Sequence, residues 1–288
     1  MIPNLAFHRP ATIGEACALS RSLGSAAAFL AGGTELLPDF QRGRESARHL
    51  IALHRIAELG GITLASDGLH IGALTTLAEI AASPRVQSFL PALATAAQAV
   101  GSAQVRSVAT IGGNVCRAVS CADLPPVLVA AECSLRLAGT GGERTLRLEQ
   151  FLLGPRQTAL EPGEVLVEAI VPMQPRGSAA VYERFARRRG SSLAVAAVAA
   201  RVTLDGDRIR DARIALGAVA PAPVLVGAAA SLLEGARPSD ELFEEAARLC
   251  AAAALPISDL RGSAAFRHEL VAVLARRALA GACARATQ

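Results

Sequence analysis

Gln104-Val-Arg-Ser-Val-Ala-Thr-Ile-Gly-Gly-Asn-Val-Cys-Arg-Ala-Val-Ser-Cys-Ala-Asp-Leu124 concentrates paired glycines, small polar side chains and a carboxylate in one short interval. It reads as a phosphate and ribose cradle. Within it, Ala109-Thr-Ile-Gly-Gly-Asn114 is expected to turn the backbone and present unhindered N–H groups to an anion, because glycine lacks the Cβ that blocks close approach. Asp123 follows at a spacing from which a carboxylate can accept from ribose hydroxyls. A second turn of the same kind lies at Phe29-Leu-Ala-Gly-Gly-Thr-Glu-Leu36, where an apolar run stops at Gly32-Gly33 and continues into a hydroxyl and an acid. Two such turns suit one long diphosphate ligand. Taken singly, each is equally an ordinary strand-to-helix corner.

Several chemistries are excluded by pattern. Neither turn carries the G-x-G-x-x-G of a Rossmann fingerprint, and a chain without lysine cannot complete a Walker loop. G-x-S-x-G is absent, and the five histidines (8, 49, 54, 70, 268) lie outside the glycine-rich segments, so no nucleophile and base can be paired and no catalytic residue is named. Six cysteines at 17, 116, 121, 133, 250 and 283 form no C-x-x-C pair and have no histidine at zinc spacing, so no metal site is expected. Cys116 and Cys121 read either as small residues packed near a ligand or as iron–sulfur ligands. Packing is favoured, since the next cysteine, Cys133, falls in a strand-like run.

At 288 residues and 52% hydrophobic composition, the chain can bury a sizeable core and fits two domains. A net charge of +4 and a pI near 9.0 raise the question of nucleic acid. With 3% aromatic residues and arginines scattered except at Arg184 and Arg187-Arg188-Arg189, no nucleic-acid partner is expected. That arginine cluster reads as a solvated face from which one side chain could reach a cofactor. No apolar h-region follows the first residues, and the apolar runs 193–200 and 249–255 fall short of the ~20 residues a membrane crossing needs. A cytoplasmic, reduced protein is expected.

In chain order, Thr12 caps a helix that Gly24 stops, and 26–31 is a buried strand ending in the first glycine turn. Residues 61–65 and 69–72 flank Ser66-Asp67-Gly68 as a hairpin, and Thr76-Leu-Ala-Glu79 is a capping box. Pro91 to Val100 forms a helix, and the prolines of Leu124-Pro-Pro126 suit a first helical turn. Strands are expected at 133–137, 144–148 and 164–172. A Pro/Gly break at Met173-Gln-Pro-Arg-Gly177 separates them from a meander of 180–187, 194–204 and 208–219. Ser239 or Asp240 begins one helix; Ser263 begins another in which Phe266, Leu270, Val273 and Leu274 share a face.

The segments Ala31-Gly-Gly-Thr-Glu-Leu-Leu37, Thr110-Ile-Gly-Gly-Asn114, Ala122-Asp-Leu-Pro-Pro126, Pro162-Gly-Glu164 and Ser258-Asp-Leu-Arg-Gly-Ser263 together resemble the FAD-binding medium subunit of molybdenum hydroxylases, the carbon monoxide dehydrogenase and xanthine dehydrogenase flavoproteins. Each motif is modest; their order and spacing make the set specific. The resemblance implies an α+β fold. A two-lobed, vanillyl-alcohol-oxidase-like (PCMH-type) FAD-binding region would span 1–175, with lobes of about 1–55 and 56–175. A C-terminal domain, 176–288, would hold a three-stranded antiparallel sheet and helices.

The resemblance also implies a site for non-covalent FAD. Phe29, Leu30, Ala31, Gly32, Gly33, Thr34, Glu35 and Leu36 with Thr110, Ile111, Gly112, Gly113 and Asn114 would wrap the diphosphate, and Asp123 would hold a sugar or ribityl hydroxyl. Val100 and Leu166 would touch the ring systems, Arg184 would lie near the flavin or its phosphates, and Leu193 would cover the isoalloxazine. The implied role is electron transfer, from an iron–sulfur small subunit through FAD to an external acceptor, with hydroxylation on a molybdenum-cofactor large subunit. The departure is Val115-Cys-Arg-Ala-Val-Ser-Cys121, where family members often carry small residues ending in Ser-Pro. A free-standing FAD oxidase, a flavin-free assembly subunit and an iron–sulfur-bearing variant remain as alternatives.

Overall fold

The computed structural model describes residues 5–188 and 190–287; Arg189, named in the arginine cluster, lies outside them. The first unit comprises β1 (Ala6–His8), α1 (Ile13–Leu23), β2 (Ala27–Leu30), α2 (Leu36–Gln41) and β3 (His49–Ala52). Its strands pair in parallel in the order β1-β3-β2. Thr12 Oγ1 accepts from the Glu15 N–H at 3.1 Å and Gly24 closes the helix, as a hydroxyl cap and a Cβ-free stop dictate. β2 is half-buried rather than buried, because it forms an edge of this small sheet.

The second unit begins with β4 (Ile62–Leu64) and β5 (Gly68–Gly72), the expected hairpin. Six helices follow: α3 (Leu77–Ala82), α4 (Pro84–Phe89), α5 (Pro91–Ala99), α6 (Ala103–Arg106), α7 (Ile111–Cys116) and α8 (Leu124–Ala130). Then come β6 (Ser134–Gly139), β7 (Gly142–Arg147), α9 (Leu148–Phe151), a small hairpin of β8 (Leu152–Gly154) and β9 (Gln157–Thr158), and β10 (Val165–Pro172). The sheet runs β4-β5-β10-β6-β7, antiparallel throughout. The capping box forms as read, with the Thr76 N–H donating to the Glu79 carboxylate at 2.7 Å. Helices α4, α6 and α7 have six residues or fewer, too short to show a 3.6-residue period in the sequence.

The third unit comprises β11 (Ser178–Ala186), β12 (Ala194–Asp205), β13 (Arg208–Gly217), β14 (Val224–Leu225), α10 (Gly227–Leu233), α11 (Asp240–Ala253) and α12 (Ala264–Ala286). The expected three-stranded meander is present, but a fourth strand is added: β14 pairs two residues onto β13, too few to leave an alternating signature. The four residues expected to share a face of α12 divide between core and solvent, with Leu270 packed against the core. Leu274 is buried, whereas Phe266 and Val273 are 43% and 41% exposed. The inward stripe is Arg267, Val271, Leu274, Ala275, Ala278, Leu279 and Ala282. Arg267 enters it because its guanidinium donates to the Val195 and Ala218 carbonyls at 3.0 and 2.9 Å and to Asp259 at 2.7 Å. Its charge is thus paired and hydrogen-bonded, the condition under which a buried ion is tolerated.

All seven residues of α8 are buried, and the helix packs on α5 on one side and on β12 and β13 on the other, joining the second unit to the third. Ion pairs reinforce that joint. Arg201, 4% exposed, donates to Glu132 at 2.7 Å, and Arg213 donates to Glu149 at 2.7 Å. Among the described residues no helix is long and apolar enough to cross a membrane.

Candidate functional site

The first glycine turn connects β2 to α2. Among the described residues, none of the main-chain N–H groups from Ala31 to Glu35 donates a hydrogen bond within the chain. A run of unspent donors at a half-buried turn is an anion-binding concavity. Glycine is required here for two reasons. A Cβ on Gly32 would overlap the Val108 carbonyl oxygen, and Gly33 adopts φ +68°. Phe29 and Leu30 are half-buried and pack in the cores of the first unit with Ile51 and Leu50, and Leu30 also lies close to Gly33.

The second glycine turn differs from its sequence reading. Thr110 caps α7, so Thr-Ile-Gly-Gly-Asn forms a first helical turn whose N–H groups are engaged. Ile111 donates to Thr75 at 3.0 Å, Gly112 to Ala73 at 2.8 Å, Gly113 to Thr110 Oγ1 at 3.0 Å and Asn114 to the Thr110 carbonyl at 2.9 Å. A Cβ on Gly112 would lie 2.6 Å from the Ala73 oxygen, so this glycine lets α7 seat on the chain leaving β5. The backbone donors expected at 111–114 are thus spent internally. What the turn leaves open is the exposed Gly113 and the Asn114 Oδ1, a buried oxygen without a partner among the described residues.

The two turns are held against each other. Gly32 seats on Val108, and Arg117, just past α7, ion-pairs with Asp39 and stands 3.8 Å from Glu35. Leu166 is not brought into this group; it is the neighbouring Val167 whose carbonyl accepts from the Ala73 N–H, at 2.8 Å. The Leu166 side chain itself is 5% exposed and packs in the core.

Val100, Asp123, Arg184 and Leu193 form a second group. Asp123 is 5% exposed and accepts from the Tyr182 hydroxyl at 2.7 Å on Oδ1; Arg184 Nη1 stands 3.2 Å from the same oxygen. Burial pushes the Asp123 carboxyl up from its ordinary value, while Arg184 and the Tyr182 hydrogen bond pull it back. Arg184 also donates to the carbonyls of Ala99, at 2.7 Å, and Ser192. It therefore clamps the end of α5, where Val100 is the cap, to the loop that carries Leu193. Leu193 is 55% exposed at the rim of a cleft of about 500 Å³ that it shares with Arg187, Arg188, Ser191, Ser192 and Arg261. The arginine cluster is split: Arg184 points inward, and Arg187 and Arg188 are exposed.

Cys116 is half-buried, and desolvation of its sulfur pushes the thiol up to about 12. Among the described residues all six cysteines are free, and no group of three or more His, Cys, Asp or Glu side chains is placed to hold a metal.

The site thus combines an open anion-binding turn, a buried acid and a cleft lined mostly by arginine and serine. Residues 3–174 match the family model described as the FAD binding domain in molybdopterin dehydrogenase, and residues 180–282 match the CO dehydrogenase flavoprotein C-terminal domain. The chain belongs to this family. It is 37% identical to the carbon monoxide dehydrogenase medium chain of Hydrogenophaga pseudoflava over 98% of each chain. It is 32% identical to the xanthine dehydrogenase FAD-binding subunit of Escherichia coli O157:H7, covering 97% of this chain and 96% of that one. A solved structure of the Hydrogenophaga pseudoflava carbon monoxide dehydrogenase, in a form lacking the Mo-pyranopterin moiety, superposes with a TM-score of 0.96 at 37% identity, covering 99% of both chains. This flavoprotein family defines the chain as an FAD-binding subunit of an oxidoreductase complex.

Sequence reasoning missed Tyr182, Arg117 and Asp39. Tyr182 stands two residues before Arg184, hence on the same face of β11, which a period-two reading of that strand would have exposed. Arg117 and Asp39 carry no local signal, since their pairing spans two units of the fold.

Proposed function

We propose that the chain is the FAD-carrying electron-transfer subunit of a molybdenum hydroxylase complex. The observation that carries this reading is the turn at Ala31–Glu35, whose unspent N–H groups suit a diphosphate. In this reading Gly32, Gly33 and Thr34 donate to the FAD diphosphate, and Gly113 and Asn114 close over it. Asp123 accepts from a sugar or ribityl hydroxyl. Val100 and Leu193 give apolar walls to the ring system, and the Arg184 clamp keeps those walls in place. Bound FAD would link the one-electron traffic of iron–sulfur clusters to an external acceptor. The chain's own residues position it and exclude water; none is assigned a proton-transfer step.

The flavin is held without a covalent bond, since neither His nor Cys occurs in the 29–36 turn. The partners are an iron–sulfur small subunit, which delivers electrons, and a molybdenum-cofactor large subunit, where the organic substrate reacts. The domain division at about 175 separates the FAD-binding region from the C-terminal domain, and the location is the cytoplasm. The test is reduction of flavin in the purified complex. Adding the large subunit's substrate should bleach the flavin bands with all subunits present and leave them unchanged in the isolated chain. Bleaching in the isolated chain would favour a free-standing oxidase instead.

A further inference from the structure

We propose that Tyr182 is a positioning residue of the FAD site, holding Asp123 ionised and oriented so that its second carboxylate oxygen serves the cofactor. The inference rests on the assignment of Asp123 to the FAD hydroxyls. Tyr182 and Asp123 are 6% and 5% exposed and belong to different units of the fold, β11 and the start of α8. Their 2.7 Å hydrogen bond ends on Oδ1, as does the 3.2 Å approach of Arg184. Oδ2 makes no hydrogen bond among the described residues and is not sealed from solvent. One oxygen is therefore anchored by the C-terminal sheet and the other is free to accept.

A hydroxyl that donates into a buried carboxylate favours its charged form, and an ionised acceptor makes the stronger hydrogen bond. The charged and titratable groups around the pair are few. On β11 they are Tyr182 and Arg184, and on the approach to α8 there is Cys121, with Arg261 beyond it. α5 contributes only the Ala99 carbonyl, which holds Arg184. Removing the Tyr182 hydroxyl takes away one of the two groups that pull Asp123 down against burial, so the carboxylate would take up a proton at higher pH.

The experiment is FAD titration into the apo form of the full chain, followed by flavin fluorescence across a pH series. Wild type, Tyr182→Phe, Asp123→Asn and the double variant are compared, with melting of each apo protein as the check on folding. Y182F should bind FAD roughly tenfold more weakly, with the acid loss of binding displaced to higher pH. D123N should show no such limb, and adding Y182F to D123N should cost nothing further. Wild-type affinity and pH profile in Y182F, or an equal loss in both backgrounds, would overturn the inference while leaving the FAD site standing. A wild-type chain that bound no FAD would remove the site and the inference together.

Discussion

Arg117, just past α7, ion-pairs with Asp39 of α2 and so fastens the second glycine turn to the first. Asp39 is 2% exposed, and its only other cation among the described residues is Arg156 at 3.2 Å. Burial holds the Arg117 guanidinium below its ordinary value, the neighbouring Arg156 adds to that, and Glu35 opposes it. Arg117→Ala should destabilise the protein by about 2–3 kcal/mol, because a buried carboxylate loses its main partner. Chemical denaturation measures this. In the double variant with Asp39→Asn most of the loss should be recovered, and an additive loss would show that the pair does not act as a unit.

Gly32 tests the contact between the turns from the other side. Gly32→Ala forces a methyl into the Val108 carbonyl, and such overpacking costs about 1–3 kcal/mol. FAD should be lost as well, because the turn must shift. The ratio of visible to ultraviolet absorbance of the purified variant reads that loss, and a variant that kept both stability and flavin would refute the packing.

Glu132 gives a pH dependence of stability. Burial opposes its ionisation, but hydrogen bonds from Arg201 and Arg147 and the charge of Arg213 prevail and depress its pKa below the ordinary 4.5. A carboxylate depressed in the folded state adds stability that is fully present above its unfolded value and is lost as pH falls through the folded one. Subtracting the melting profile of Glu132→Gln from that of wild type should give a difference that is constant near neutrality and shrinks below pH 4.5. A difference independent of pH would contradict the network.

The half-buried Cys116 thiol, pushed up to about 12 by desolvation, should react slowly with thiol reagents in the native protein at about pH 8 and label fully on unfolding. Mass spectrometry of the labelled peptides decides this. Iron analysis of the same preparation should find none; a bound cluster on Cys116 and Cys121 would reinstate the iron–sulfur variant.

What was legible in the sequence was short-range chemistry. Thr12, the Thr76–Glu79 box and the Asp67-Gly68 hairpin each combine residues within four positions, and each forms as read. Both glycine turns were also visible, but the division of labour between them was not. The N–H groups of Ile111 and Gly112 are consumed by the carbonyls of Thr75 and Ala73, nearly 40 residues earlier, which no local pattern announces, while those of Gly113 and Asn114 go to Thr110. The only tyrosine of the chain meets Asp123 across 59 positions for the same reason. The face of α12 was misjudged because three of its buried positions are alanine and another is a paired arginine, whereas the larger apolar Phe266 and Val273 stand outward.

The most direct measurement of the central claim is FAD binding by the purified full chain, read by its visible spectrum before and after reconstitution with excess FAD and removal of the unbound portion. The expected result is flavin absorbance corresponding to a single FAD per chain, released by denaturation without peptide attached. A folded chain with no flavin bands after reconstitution would contradict the account and leave a flavin-free assembly subunit in its place.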